Sequence, residues 1–323
     1  MNQPLLQIDN LQVHFQVRKG LLGSQTLRAV DGVSLQIGRG EVVAVVGESG
    51  SGKTTLGRAI LGLAKPAGGH IYFDSQEITA LNEKKRRPLR RRMQAIFQDP
   101  FASIDPYMTL YDTVAEPLLI HQVGNASEQR TKVLDALRSV RLTPVEEMAE
   151  RYPHRLSGGQ RQRAGIARAL VLQPDFIVAD EPVSMVDASS RAELLYLMRD
   201  LRDRHNIAFL YITHDIATAR HFAHRVVVMY LGKIVESGPA EVVVENPLHP
   251  YTQALIAAVP EPDARNRLHK RAVLQGEPPN PANRPGGCSF HPRCPKLIKG
   301  RCEQSEPTLI EKEPGHFVAC YLY

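Results

Sequence analysis

Eight consecutive residues constrain this chain more than any others: Gly47-Glu48-Ser49-Gly50-Ser51-Gly52-Lys53-Thr54. They fit G-x-x-x-x-G-K-[ST], follow the apolar run EVVAVV and open a helix-forming run, TTLGRAILGL. That strand–loop–helix context is what lets the motif cradle phosphate. Its glycines allow backbone N–H groups to wrap phosphate oxygens, and the helix start adds a partial positive charge. Lys53 supplies a full charge, and the Thr54 hydroxyl can ligate Mg²⁺. Gly47, Ser49, Gly50, Gly52, Lys53, Thr54 and Thr55 are thus candidates to hold a nucleotide's phosphates.

The rest of the chain fits an α/β setting for such a loop. Its 323 residues suffice for a sizeable core, and 43% apolar with 23% charged residues is ordinary for a globular domain. No apolar run approaches the ~18 residues of a membrane-spanning helix. Glu41–Gly47, Ile207–Thr213 and Arg225–Gly232 are short, β-branched and bounded by turn residues or charges, so they read as buried strands. From Leu5 to about Gly238, strand-like and helix-like segments alternate, predicting a largely parallel sheet. Beyond, Pro, Asn and Gly accumulate in ENPLHP, PEPDAR and GEPPNPANRPGG, and Glu277–Gly287 is expected to be an irregular linker. The start, MNQPLLQIDN, lacks the basic stretch and apolar core of a secretory signal, so a cytosolic chain is expected. The net charge of +6 favours anionic partners, and much of it sits in Lys84–Arg92. That run reads as a solvated helix start, with lipid headgroups or an acidic partner surface as the alternative. No aromatic residues are interleaved, so no nucleic acid is expected.

Two further segments narrow the chemistry. Phe176–Glu181, FIVADE, is an apolar strand ending in two carboxylates. Asp180 is positioned to hold Mg²⁺ through water, and Glu181 to polarise an attacking water. Leu156-Ser157-Gly158-Gly159-Gln160 stands just before that strand and begins a second helix, RQRAGIARALVL. LSGGQ resembles the signature of the ABC-family ATPases. Read as residues, it is a Gly-containing helix N-cap with open amides.

The resemblance implies an α/β fold of the P-loop NTPase, ABC ATPase type: a RecA-like core carrying a helical subdomain at about 100–170. It implies a nucleotide-binding domain over 1–238, a connecting helix and Pro-rich linker over 239–287, and a Cys-containing extension over 288–323. Gln98, in AIFQDP, matches the glutamine that touches Mg²⁺ and the attacking water and links the site to a membrane subunit. His214, in YITHD, matches the histidine that contacts the γ-phosphate, and Phe15 stands where an aromatic ring stacks on adenine. In this family Ser157, Gly158, Gly159, Gln160 and Asp187 close over ATP held by the opposite subunit. Ser184-Met185-Val186-Asp187 departs from the usual Ser-Ala-Leu-Asp, which implies altered packing across a dimer with activity retained.

GESGSGKTTLGRAI, FQDPFASIDP, RYPHRLSGGQRQR, MYLGKIVESGP and NPLHPYTQALIAAVP tighten the likeness to the dipeptide, oligopeptide and nickel importer ATPases. Within that group the chain is most similar to the second ATPase of a dipeptide or oligopeptide permease. The resemblance implies an ATPase at the cytoplasmic face of the cytoplasmic membrane, bound peripherally. Its partners would be a paralogous ATPase in a heterodimer, two transmembrane permease subunits and, indirectly, an extracytoplasmic solute-binding protein. A nickel or oligosaccharide importer is the alternative. A soluble ABC ATPase acting on nucleic acid is the rival from another class, but the paired domains or long insertions usual there are absent from the sequence.

The tail carries all four cysteines, Cys288, Cys294, Cys302 and Cys320. Four thiols suit Zn²⁺ or an iron–sulfur cluster, though no C-x-x-C knuckle is present. Similar tails in peptide-importer ATPases are linked to a [4Fe–4S] cluster, which is implied here, with Zn²⁺ or free thiols as alternatives. His291 and His316 read as loop histidines, with substitution as ligands the alternative.

Overall fold

Alternate residues of a strand face opposite sides of its sheet, and the central strand of this protein obeys that rule on two cores at once. Val42, Ala44 and Val46 enter one buried cluster, whereas Val43 and Val45 enter the other. A strand apolar on both faces belongs in the middle of a sheet covered on both sides. The computed structural model that establishes this describes residues 3–19, 23–259, 276 and 279–323.

In chain order the strands are β1 (Leu6–Lys19), β2 (Gly23–Ile37), β3 (Val42–Val46), β4 (Gly68–Phe73), β5 (Gln76–Glu77) and β6 (Met93–Ile96). They continue with β7 (Phe176–Asp180), β8 (Ala208–Thr213), β9 (Arg225–Tyr230), β10 (Lys233–Pro239), β11 (Ile310–Glu313) and β12 (His316–Val318). Among the described residues the main sheet runs β11-β12-β10-β9-β3-β8-β7-β6. Its β9-β3-β8-β7-β6 portion is parallel, and the three remaining strands add antiparallel. The expected buried strands are there, as β3, β8 and β9.

A second, antiparallel sheet, β2-β1-β4-β5, covers one face. It departs from the parallel reading of the N-terminal region. The physical reason is the alternation in β2, whose inward residues Val30, Val33, Leu35 and Ile37 are buried while Arg28, Ser34 and Gln36 are not. A sheet with one wet face can pair through a simple hairpin. The core beneath it also takes Leu56, Ala59 and Ile60 from the helix Lys53–Ile60. A fully buried Leu or Ile side chain of this kind contributes ~1.5–3 kcal/mol.

The other face is covered by helices between β6 and β7: Pro100–Ser103, Leu110–Ile120, Ala126–Ser139, Val145–Ala149 and Gly158–Leu170. Their buried residues, including Leu110, Val114, Leu118, Leu137 and Ile166, merge with the β3 cluster. The basic run forms a helix, Glu83–Arg92, capped by the Asn82 side chain. Arg90 pairs with Glu83 and Arg92 with Asp74 and Asp175, while Lys84, Lys85 and Arg91 lie exposed. No helix among the described residues is long and apolar enough to cross a membrane.

The C-terminal extension is built into this body. β12 pairs with β10, and Phe290 is buried in the same cluster as the interhelical core. Residues 279–287 are irregular, as their prolines dictate. PEPDAR and positions 277–278 lie outside the described residues. His316 is not a loop histidine: it is fully buried on β12, with Nε2 2.7 Å from Glu236 Oε1.

Candidate functional site

Four parallel strands deliver their ends to one edge of the sheet. β3 runs into the phosphate loop, β7 into Glu181, β8 into His214, and β6 into Gln98. Ligand sites of open parallel sheets form at such carboxyl ends.

The loop's shape depends on residues that tolerate left-handed backbone. Gly52 has φ +102°, and a Cβ there would lie 2.2 Å from the Ala29 carbonyl oxygen. A Cβ on Gly47 would come equally close, 2.2 Å, to the Met229 carbonyl oxygen. Gly52 also caps the helix Lys53–Ile60 without any side-chain hydrogen bond, so its first amides are open to an anion. Ser49 and Gly50 are exposed, and Thr55 is half-buried in the helix's first turn.

Lys53 is 5% exposed, and its ammonium donates to the Gly47 and Glu48 carbonyls at 2.7 and 2.8 Å. Burial lowers its pKa, while the charges of Glu181, Asp180 and Glu48 oppose that shift. Thr54 Oγ1 donates to Asp180 Oδ1 at 3.1 Å. Burial pushes the Asp180 carboxyl up, and the adjacent Glu181 charge pushes the same way against the Thr54 hydrogen bond. A hydroxyl hydrogen-bonded to a half-buried carboxylate is a donor set suited to Mg²⁺.

Glu181 sits at φ +46°, a left-handed conformation uncommon for a residue with a side chain. Its N–H donates to the Ile212 carbonyl at 2.9 Å, and its own carbonyl accepts from Ser184 N–H and Oγ. Pinned this way, its carboxylate receives Gln98 Nε2 at 3.1 Å and lies 3.2 Å from His214 Nδ1. Three residues singled out from separate motifs therefore meet at one carboxylate. It can orient or deprotonate a water beside the phosphate loop.

The remaining sequence candidates lie elsewhere. Ser157 caps the helix Gly158–Leu170 in a reciprocal box, its Oγ accepting from Gln160 N–H and its own N–H donating to Gln160 Oε1. Asp187 caps the helix Ala188–His205, accepting from Ser190 N–H. Gly159 lies near Ser190, so these two helix starts adjoin, and none of the described hydrogen bonds joins them to the phosphate loop. Met185 is exposed and Val186 buried. Phe15 is exposed on β1 opposite Leu27, two residues from Ala29. An apolar groove of about 330 Å³ opens beside Gln98, lined by residues such as Phe97, Ile104, Pro117 and Leu172.

The four cysteine thiols neighbour one another in the tail. Cys288 N–H donates to the Cys302 carbonyl at 2.8 Å, and burial pushes the Cys288 thiol up to about 11, with the other three thiols adding to the rise. Burial raises Cys294 and Cys320 as well. Yet among the described residues no three of His, Cys, Asp or Glu are grouped to hold a metal ion. The expected [4Fe–4S] cluster or Zn²⁺ is thus unsupported by the arrangement, and His291 and His316 are engaged with the Cys288 carbonyl and Glu236.

Sequence reasoning misses three residues that touch the site: Glu48, Tyr251 and Arg293. Glu48 occupies a variable position of the loop motif, and the other two lie more than 200 positions away with no local signature.

Comparison with known proteins agrees with this geometry. Residues 30–184 match the model of the ABC transporter family, and residues 235–302 match that of the oligopeptide/dipeptide transporter C-terminal region. The chain is 46% identical to the oligopeptide transport ATP-binding protein AppF of Bacillus subtilis, across 99% of this chain and 98% of that protein. It is 48% identical to a protein of Brucella ovis named as a peptide import ATP-binding protein, across 98% and 97%. A solved dimeric ATP-binding cassette, MJ0796, in a post-hydrolysis state with ADP and phosphate, superposes with a TM-score of 0.64 at 30% identity, covering 73% of this chain and 98% of that one. Motif, sheet-edge geometry and full-length likeness agree: the chain belongs to the ABC transporter family, as one of its ATP-hydrolysing, ATP-binding proteins.

Proposed function

We propose that this ATPase powers the import of dipeptides or oligopeptides across the cytoplasmic membrane, bound peripherally at its cytoplasmic face. The observation that carries the reading is the likeness, over 98–99% of the chain, to proteins named for peptide and oligopeptide transport. The matched C-terminal region at 235–302 supports the same branch.

In this reading the amides of Gly47, Ser49, Gly50 and Gly52, with Lys53, Thr54 and Thr55, hold the β- and γ-phosphates, and Phe15 stacks on adenine. Lys53 exchanges its carbonyl partners in the loop for phosphate oxygens. Thr54, Asp180 and Gln98 would hold Mg²⁺, which supplies charge neutralisation when bound. Glu181 accepts a proton from the attacking water or orients it, Gln98 and His214 fix that carboxylate, and His214 senses the γ-phosphate. The open amides of Gly158 and Gly159, with Ser157, Gln160 and Asp187, face a nucleotide on a paralogous ATPase subunit. The groove beside Gln98 receives a segment of one of two permease subunits, and an extracytoplasmic binding protein delivers solute. ATP-driven closure and hydrolytic release of the two ATPases then work the permease as a rigid-body switch. A [4Fe–4S] cluster on Cys288, Cys294, Cys302 and Cys320, with zinc as the alternative, belongs to this reading as a structural closure of the tail. Iron, sulfide and zinc analysis of the purified chain tests it, and metal-free protein with intact folding rejects it.

The transport reading is tested by ATP turnover of the assembled complex in membranes, with its binding protein loaded in turn with dipeptides, longer peptides, nickel chelates and oligosaccharides. Stimulation by peptides is expected. Stimulation by nickel chelates or oligosaccharides alone would move the chain to that importer class.

A further inference from the structure

One residue of the phosphate loop is gripped at every polar group it owns, and most of the grip comes from the C-terminal third of the chain. Glu48 N–H donates to Tyr251 Oη at 2.7 Å. Its carbonyl accepts from Lys53 Nζ at 2.8 Å. Its carboxylate takes a two-pronged contact from Arg293, with Nη1 to Oε2 at 2.7 Å and Nη2 to Oε1 at 3.1 Å. The Arg293 side chain is only 6% exposed and that of Glu48 26%, so this fork is largely removed from water. A fork-to-fork pair of this kind fixes orientation as well as charge.

The grip is itself braced. Phe290 packs on Tyr251 and Tyr230 with ring centroids 5.4 and 5.3 Å apart. Arg284 donates to Asp31 Oδ2 at 2.6 Å and to the Arg28 carbonyl at 2.7 Å, next to Ala29, whose carbonyl abuts Gly52. On β12, His316 meets the buried Glu236, which also accepts the N–H groups of Leu248 and His249 at the start of the helix bearing Tyr251. Three stretches of the tail thus bear on the loop or on the residues that brace it.

We infer that the cysteine-bearing extension is a working part of the nucleotide site, with Arg293 the positioning residue that sets the phosphate loop through Glu48. The inference rests on the reading that this loop binds ATP. Arg293 reaches no reacting atom. It holds the backbone at Glu48, so the loop's amides keep their phosphate-binding curve before the nucleotide arrives. Without it, ATP must itself order the loop, and that cost appears in binding. The Glu181–Gln98–His214 cluster hangs from β6, β7 and β8, so the chemical step is spared.

The test uses the full-length chain, with Mg-ATP titrated calorimetrically, and the assembled transporter for KM and kcat. Arg293→Gln and Glu48→Gln are each expected to weaken ATP binding about 10-fold or more, the effect of losing a charged hydrogen-bond pair. The KM should rise in parallel, with kcat within about twofold. The double variant should be no worse than the weaker single, because the two residues act as one unit. Arg293→Lys should recover part of the affinity, since it keeps the charge and loses the fork. Wild-type affinity in a folded Arg293→Gln protein, or additive losses in the cycle, would overturn the inference. Should Arg293→Gln not fold, Glu48→Gln, nearly unchanged in size, decides alone. Absence of ATP binding by the wild-type chain would overturn both this inference and the reading beneath it.

Discussion

Two helix starts in this molecule are built on glycines, and they are finished differently. The helix Lys53–Ile60 begins at Gly52 with no side-chain cap, with Lys53, Thr54 and Asp180 gathered around it. The helix Gly158–Leu170 begins at Ser157 with a complete capping box. An uncapped N-terminus with a buried ammonium beside it suits an anion. A capped one is already satisfied in part and stands without a ligand. In the proposed reading, the contrast separates a whole site from a half. Lys53, Thr54, Asp180 and Glu181, the groups proposed to handle phosphate, metal and water, meet at the first start, whereas the second has no such partner within the described residues.

Substitutions can break or sharpen that contrast. Lys53→Ala removes the charge that the uncapped start depends on, and about 2–5 kcal/mol of ATP binding should go with it. Titration of Mg-ATP checks this, and near-wild-type affinity would equate the two starts. Gly52→Ala must force a side chain into left-handed backbone against the Ala29 carbonyl. A cost of about 1–3 kcal/mol in unfolding free energy is expected, together with impaired nucleotide binding. Chemical denaturation with and without ATP separates the two effects. Ser157→Ala deletes one hydrogen bond of the second start, and a loss of ~1 kcal/mol in stability should follow. A thermal shift equal to that of Gly52→Ala would mean the capping box bears more than its geometry indicates.

Much of the first start is legible in the sequence alone. The loop motif is contiguous, its strand is apolar on both faces, and Asp180 and Glu181 follow a strand of the same kind. Each of these is a local signal. Gln98 and His214 are legible only through resemblance, because a lone polar residue after a strand has no pattern of its own. That they converge on Glu181 is a property of strand order, which the sequence does not spell out. The antiparallel β1–β2 pair escapes a sequence reading because its long alternating strands run directly into the parallel unit that follows. The tail is the least legible part. Its four thiols suggest a ligand set, but burial and the pull of β12 onto β10 arrange the segment, and no three donors group among the described residues. The Arg293–Glu48 pair spans 245 positions, a separation at which composition and periodicity carry no information.

Glu181 as the group that activates water is the claim on which the rest most directly depends. ATP turnover by the wild type and by Glu181→Gln, with ATP affinity measured on the same preparations, addresses it. The geometry predicts turnover lower by ~10²–10⁴-fold, because a general base is lost while the phosphate loop is untouched. ATP affinity should stay within a few-fold of wild type. Hydrolysis by Glu181→Gln at the wild-type rate would contradict that role and return the carboxylate held by Gln98 and His214 to a purely structural one.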